Sequence, residues 1–193
     1  MYSQKRVLTL EMDKDTLREL FGEKTANLTK ETTEDEIKRI YDERSGGYDQ
    51  EQLAARVAYH KPLIECFHKA LKEVFQDKQK DQIKIIDAAA GTGLMGVELK
   101  KLEYTNISAL DISPKMLNEA KKKNIYKDFI CASLCRKPIP EIETGQFDAL
   151  VCGGSLVEGR IGPSGFAEMI RMVRTAEDMP KETLGFVYKV LKN

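Results

Sequence analysis

Ile-Ile-Asp-Ala-Ala-Ala-Gly-Thr-Gly-Leu-Met-Gly, residues 85–96, decides how the rest of the chain is read. An apolar run over residues 83–90 ends in a glycine turn, and a helix-periodic segment follows over 94–102. That is the pattern of a buried strand feeding a helix through a tight bend. Glycine at such a bend reaches φ values closed to other residues and lets a ligand come close to the backbone. Gly91, Gly93 and Gly96 also satisfy G-x-G-x-x-G, the dinucleotide spacing. Asp111 falls 18 residues past Gly93, at the end of the next predicted strand, 106–112. An acid there can accept from two ribose hydroxyls; the alternative is a flank of the following helix cap. Glycines and Asp111 together specify an adenosine ligand without saying which one.

Asp87 separates the possibilities. It ends the first strand, directly before the turn. In a dinucleotide site the pyrophosphate rests on the helix N-terminus at this bend. Two like unit charges about 5 Å apart, at an effective dielectric of about 20, repel by about 3 kcal/mol. S-adenosylmethionine carries no phosphate; its sulfonium and ammonium cations favour a nearby carboxylate. The charge of the turn therefore points to the sulfonium compound and away from a nicotinamide dinucleotide.

Working outward, Ser113 is placed to cap a helix over 114–122, with Pro114 at its first position. Further strands are predicted at 126–132 and 147–152, and a fifth at 184–191. A helix is predicted over 165–174 with Phe166, Met169, Ile170 and Val173 on one face. Upstream, Thr33 and Glu36 form a capping-box pair for a helix that stops at Ser45-Gly46-Gly47. A long helix is predicted over 49–75, with Leu53, Val57, Leu63, Ile64, Phe67, Leu71, Val74 and Phe75 as its apolar stripe and a kink or break at Pro62. Residues 1–33 are polar, with at most a short helix at 13–20. Alternating strands and helices predict an α/β fold: a Rossmann-like three-layer sandwich on a mostly parallel sheet, with N-terminal helices. The expected organisation is a polar arm, 1–33, followed by one cofactor-binding domain, 34–193.

Four stretches carry a resemblance. Asp-Ala-Ala-Ala-Gly-Thr-Gly (87–93) resembles motif I of the class I methyltransferases, and Leu-Asp-Ile-Ser-Pro-Lys-Met-Leu-Asn-Glu-Ala (110–120) resembles the segment after their second strand. Gln-Phe-Asp-Ala-Leu-Val-Cys-Gly-Gly (146–154) is similar to their motif IV. Tyr-Asp-Glu-Arg-Ser-Gly-Gly-Tyr-Asp (41–49) is similar to an N-terminal element of many such enzymes. The chain most resembles the methyltransferase-like family of the Williams–Beuren syndrome region, whose members share the Ala-Ala-Gly-Thr-Gly form of motif I. The resemblance spans about residues 37–173.

It implies a site. Gly91 and Gly93 would present backbone groups to the methionine part of the cofactor, and Ala89 stands where the wider superfamily often has glycine. Asp111 would hold the ribose. Ile112 and Met116 would pad the adenine, although Met116 equally fits plain core packing. The superfamily often has an acid after the third strand to read the adenine amino group. Here the segment is Ile-Cys-Ala-Ser-Leu-Cys (130–135), so Ser133 and the Leu134 backbone are assigned that place. Tyr41 and Tyr48 would close the pocket from the N-terminal helices, or else pack amphipathically on the surface. Gly153 and Gly154 would leave room for the methyl acceptor. Methyl transfer is a direct displacement that rests on positioning, so no catalytic residue is assigned. Glu158, Arg160, His60 and His68 are candidates for acceptor contact that nothing in the sequence fixes in place.

The resemblance weakens after Arg174. The family pattern there is a Pro-Gly-Gly turn, a fifth strand, a helix and two more strands; this sequence reads Thr-Ala-Glu-Asp-Met-Pro and runs on to Asn193. The expectation is a sheet truncated after about five strands, with cofactor binding implied more directly than turnover.

Composition narrows the rest. Lys plus Arg equals Asp plus Glu at 31 each, so no general attraction draws the chain to nucleic acid. The acceptor is then a small molecule or a protein. With four cysteines (Cys66, Cys131, Cys135 and Cys152), no C-x-x-C pair and two histidines, no zinc site is expected. Neither a signal peptide nor an apolar stretch of the ~20 residues needed to cross a bilayer is visible, and a cytoplasmic chain with reduced thiols is expected. Two functions compete with methyl transfer: non-catalytic binding of S-adenosylmethionine or S-adenosylhomocysteine, and a nicotinamide-dependent oxidoreductase supported by the glycine spacing alone.

Overall fold

The computed structural model describes residues 27–135, 137–156 and 159–173. Four strands, β1 (Ile85–Ala88), β2 (Ile107–Asp111), β3 (Asp128–Cys131) and β4 (Ala149–Val151), form one open sheet in the order β3-β2-β1-β4, parallel throughout. β1 and β2 are short and buried on every residue, as continuous apolar strands of a parallel sheet must be. Successive strands step outward from β1 to β3, and then the chain returns to lay β4 on the other side of β1. That reversal is the switch point beyond which open α/β sheets hold ligands at the carboxyl ends of their strands.

The period-2 alternation of the strands builds two cores. Ile85, Ile107 and Val151 face one way, against α3 (His60–Val74), α4 (Leu94–Lys101) and α5 (Pro114–Lys122) through Ile64, Phe67, Leu71, Met95, Leu99 and Leu117. Ile86 and Leu110 face the other, against Met172 of α6 (Pro163–Met172) and the loop residues Ile139, Ile142 and Phe147. Each such fully buried aliphatic side chain contributes about 1.5–3 kcal/mol of transfer free energy. The Rossmann-like α/β expectation is met.

Local signals placed several elements closely. Thr33 caps α1 (Glu34–Arg44) through a complete capping box with Glu36, and Ser113 caps α5, its Oγ accepting from the Met116 amide at 3.0 Å with Pro114 in the first turn. The predicted long helix over 49–75 is instead two, α2 (Tyr48–Ala54) and α3. The break lies at residues 55–59, upstream of Pro62, which sits in the first turn of α3, where its missing amide costs nothing. The stripe holds in α3 but fails in α2: Leu53 is 79% exposed, while its neighbour Gln52 is buried at 2%. On α6, Met169, Met172 and Val173 are buried, but Ile170 is 59% exposed, so the apolar face runs through Met172 and not Ile170. After α6 the chain turns extended, and Val173 makes a parallel bridge with Phe147. The fifth strand expected at 184–191 and the short helix at 13–20 lie outside the described residues. Among the described residues no helix is long and apolar enough to cross a membrane.

Candidate functional site

A cavity of about 460 Å3 opens at the carboxyl ends of the strands. Its floor is built from the residues that follow each strand: Ala89 and Gly91 after β1, Asp111 and Ile112 at the end of β2, Ser133 and Leu134 after β3, and Gly153 after β4. Met116 reaches it from α5, and Tyr41 and Tyr48 reach it from α1 and α2. The fold thus gathers ten of the sequence-assigned residues around one space. Met116 is also 1% exposed, so it packs in the core and faces the cavity at once.

Asp87 and Gly93 stand differently. Neither lines the cavity. Asp87 is fully buried at the end of β1, beneath the turn, so any influence it has on a ligand acts as a field through the floor and not as a wall contact. One of its oxygens, Oδ2, accepts from the Tyr126 hydroxyl at 2.6 Å; the other, Oδ1, is buried with no hydrogen-bond partner. Burial pushes its pKa up to about 7, against the opposing hydrogen bond from Tyr126. Gly93 does not offer its backbone to the cavity; it caps α4 in the left-handed region at φ 91°, and its missing Cβ makes room for the Tyr126 ring.

Gly91 does face open space: a Cβ there would meet nothing within 4 Å. Its amide, however, is spent on Asp111 Oδ2 at 2.8 Å, and Asp111 Oδ1 accepts from the Ser113 amide at 2.8 Å. Burial raises Asp111 to about 6 despite these two bonds. An ionised carboxylate offers about four lone-pair sites, more than the neighbouring amides use.

The aromatic wall holds more than the sequence assigned. Tyr59, from the gap between α2 and α3, lines the cavity beside Tyr41 and Tyr48, and its ring stacks on His60 with centroids 4.2 Å apart. Burial raises all three phenols, Tyr59 to about 12. Gly153 and Gly154 both line the cavity, and the side on which each would carry a Cβ is packed. A Cβ on Gly153 would lie 2.0 Å from the Met95 methyl carbon, and one on Gly154 would lie 2.2 Å from the Tyr59 hydroxyl. Arg160 lines the cavity, donating from Nη1 to the Gly154 carbonyl at 2.6 Å, with its guanidinium 6.0 Å from the centre of the Tyr41 ring. His60 lines the cavity, whereas His68 is elsewhere, its Nδ1 2.8 Å from the Tyr104 hydroxyl. Glu158 lies outside the described residues. Thr29, Lys30 and Thr32, from the polar arm, also reach the cavity.

The Tyr-Asp dipeptides divide their labour. Each tyrosine faces the cavity and each aspartate ties its helix to the sheet side. Asp42 accepts from the Ser113 hydroxyl at 2.6 Å; Asp49 accepts from the Thr92 hydroxyl at 2.5 Å and pairs with Lys123 at 2.7 Å. Sequence reasoning read the tyrosines and missed the aspartates, Tyr59 and Tyr126. The dipeptide repeat itself was the signal for the first two; Tyr59 was hidden by the apparent continuity of the helix.

These features suit a cationic adenosine ligand. One carboxylate lies in the cavity wall, a second carboxyl is buried beneath the turn, and three tyrosines line the same space. Residues 85–176 match a family model described as a methyltransferase domain. The chain is 30% identical over 132 residues to human methyltransferase-like protein 27, a match covering 67% of this chain and 51% of that protein, so it spans about half the length of the curated relative. Among solved structures it is similar to a TehB-like SAM-dependent methyltransferase from Corynebacterium glutamicum (19% identity, 79% and 83% coverage of the two chains, TM-score 0.49). It is also similar to magnesium protoporphyrin IX methyltransferase from Synechocystis with bound SAM (18% identity, 62% and 60% coverage, TM-score 0.44).

Proposed function

We propose that the chain, which matches a methyltransferase-domain model at residues 85–176, is a class I methyltransferase that binds S-adenosylmethionine in the cavity at the strand ends and passes the methyl group to a small molecule or a protein. The observation that carries the reading is an acid in the cavity wall, Asp111, with a second acid, Asp87, buried beneath the glycine turn that borders the cavity. Bound there, the cofactor supplies a methyl group activated by a positively charged sulfur. Asp111 holds the ribose hydroxyls with its free lone pairs. Gly91 leaves the space the methionine end needs. Ile112 and Met116 flank the adenine, with Ser133 and the Leu134 backbone at its edge. Tyr41, Tyr48 and Tyr59 shield the sulfonium from water and meet it with aromatic faces. Direct displacement needs alignment more than proton transfer, so holding both reactants in line supplies most of the acceleration. The even charge balance gives no general pull on a polyanion, which favours small molecules and proteins over nucleic acid as acceptors.

Thermal shift with S-adenosylhomocysteine and with NAD in parallel tests the cofactor: the first should stabilise the protein and the second should not. Asp111→Ala should weaken S-adenosylhomocysteine binding by about tenfold or more in calorimetry, since a hydrogen bond to a charged group is worth about 1.5–3 kcal/mol. Stabilisation by NAD alone, or unchanged affinity in a folded Asp111→Ala protein, would overturn the reading.

A further inference from the structure

Tyr126 does not line the cavity, yet the turn is built around it. It stands just before β3 and is 8% exposed. Its hydroxyl donates to Asp87 Oδ2 at 2.6 Å. The ring reaches that position through a slot that exists because two turn residues are glycine. A Cβ on Gly96 would lie 2.4 Å from the Tyr126 hydroxyl, and one on Gly93 would lie 2.9 Å from its ring. Phe129 fixes the ring edge-on, with centroids 5.7 Å apart and planes at 71°. Two of the three glycines that gave the sequence its dinucleotide spacing therefore serve a side chain, not a phosphate.

The groups facing Asp87 divide by sign. Asp111, Tyr59 and Cys152 oppose its ionisation or are opposed by it, while the Tyr126 hydroxyl and the Gly96 amide favour the charged form. Of these, the Tyr126 hydrogen bond is the stronger support. We propose that Tyr126 is a positioning residue for the cofactor site: its hydroxyl fixes the Asp87 carboxyl beneath the glycine turn and holds it in the anionic form that attracts a cationic cofactor. This rests on the reading of the cavity as an S-adenosylmethionine site. Tyr126 touches no ligand; it acts through Asp87.

Calorimetric titration with S-adenosylmethionine from pH 5.5 to 8.5, on wild type, Tyr126→Phe and Asp87→Asn, tests it. Wild type should bind more weakly as the pH falls and Asp87 takes up a proton. Tyr126→Phe should bind about tenfold more weakly near pH 7, with the pH midpoint of affinity moved upward by about one unit. Asp87→Asn should bind weakly with a flat profile. A purely structural role for Tyr126 would leave the midpoint where it was, so a folded Tyr126→Phe protein with the wild-type affinity and midpoint overturns the proposal. Failure of wild type to bind S-adenosylmethionine at any pH would instead overturn the cofactor reading beneath it. Should Tyr126→Phe not fold, wild type labelled with 13C at the tyrosine Cζ gives the same answer. The Tyr126 resonance should titrate in step with affinity, and a flat resonance across the pH range where affinity changes sinks the proposal.

Discussion

Ala89 holds φ at 59°, in the left-handed region that costs a residue with a Cβ about 1–2 kcal/mol. It lines the cavity at the point where β1 turns into the loop, so the strain sits in the cavity wall. Glycine would relieve it at a cost of about 0.5–1 kcal/mol in chain entropy. Ala89→Gly should therefore stabilise the protein by about 0.5–1 kcal/mol, a rise of about 2 °C in Tm by calorimetry; a fall in Tm would mean the methyl group packs better than its strain costs. At this scale the sequence was informative wherever a residue's own chemistry carried the signal. Asp111, an acid after an apolar strand, and the paired tyrosines could be picked out by type and place. Tyr126 could not, because its partner Asp87 lies 39 positions away and only the pairing of β1, β2 and β3 brings them together.

Side-chain bonds from two aspartates moor the N-terminal helices to the body of the fold. α1 is tied by Asp42 to the cap of α5, and α2 is tied by Asp49 to Thr92 in the glycine turn and to Lys123 after α5. The partners lie 71 and 43 positions away, which is why helix periodicity gave the helices but not their moorings. It also carried one stripe straight through residues 55–59, since Leu53 and Val57 keep the spacing of Leu63 and Ile64 although the chain between them is not helical. Asp42→Ala and Asp49→Ala should each weaken S-adenosylmethionine binding by roughly three- to tenfold, about the worth of one or two polar bonds. Hydrogen exchange should quicken in α1 and α2 while β1 and β2 stay protected. Unchanged affinity with faster exchange would mean that Tyr41 and Tyr48 do not meet the ligand.

Taken whole, the molecule buries Asp87 and Asp111 at its strand ends, and burial raises the pKa of both, so this pair contributes a stability that falls as pH rises. The α/β pattern that put both at strand ends was plain in the sequence, since buried strands read as apolar runs closed by an acid. Their burial was not, because it depends on side chains from α5 and from the segment before β3 that cover them. Ordinary aspartate titrates near 3.9 when unfolded. Burial raises Asp111 to about 6 and Asp87 to about 7 in the folded protein. The folded state therefore binds their protons more tightly than the unfolded state does between about pH 4 and pH 7, and stability falls as pH rises through that window. The two charges interact, so the decline belongs to the pair. Glu36 and Glu168 are shifted the other way, held down by hydrogen bonds from Thr33 and Arg171, and they favour the folded state above their unfolded range. A bare pH profile would mix the two effects. Comparing wild type with Asp87→Asn in urea at a series of pH values cancels the glutamates. The mutant, which buries a neutral amide at every pH, should gain on wild type by a margin on the order of a few kcal/mol between pH 4 and pH 7.5, and the margin should then level off. A margin that stays constant across this range would show that Asp87 titrates normally in the folded chain, and that its charge is neither costly to bury nor available to draw a cation to the turn.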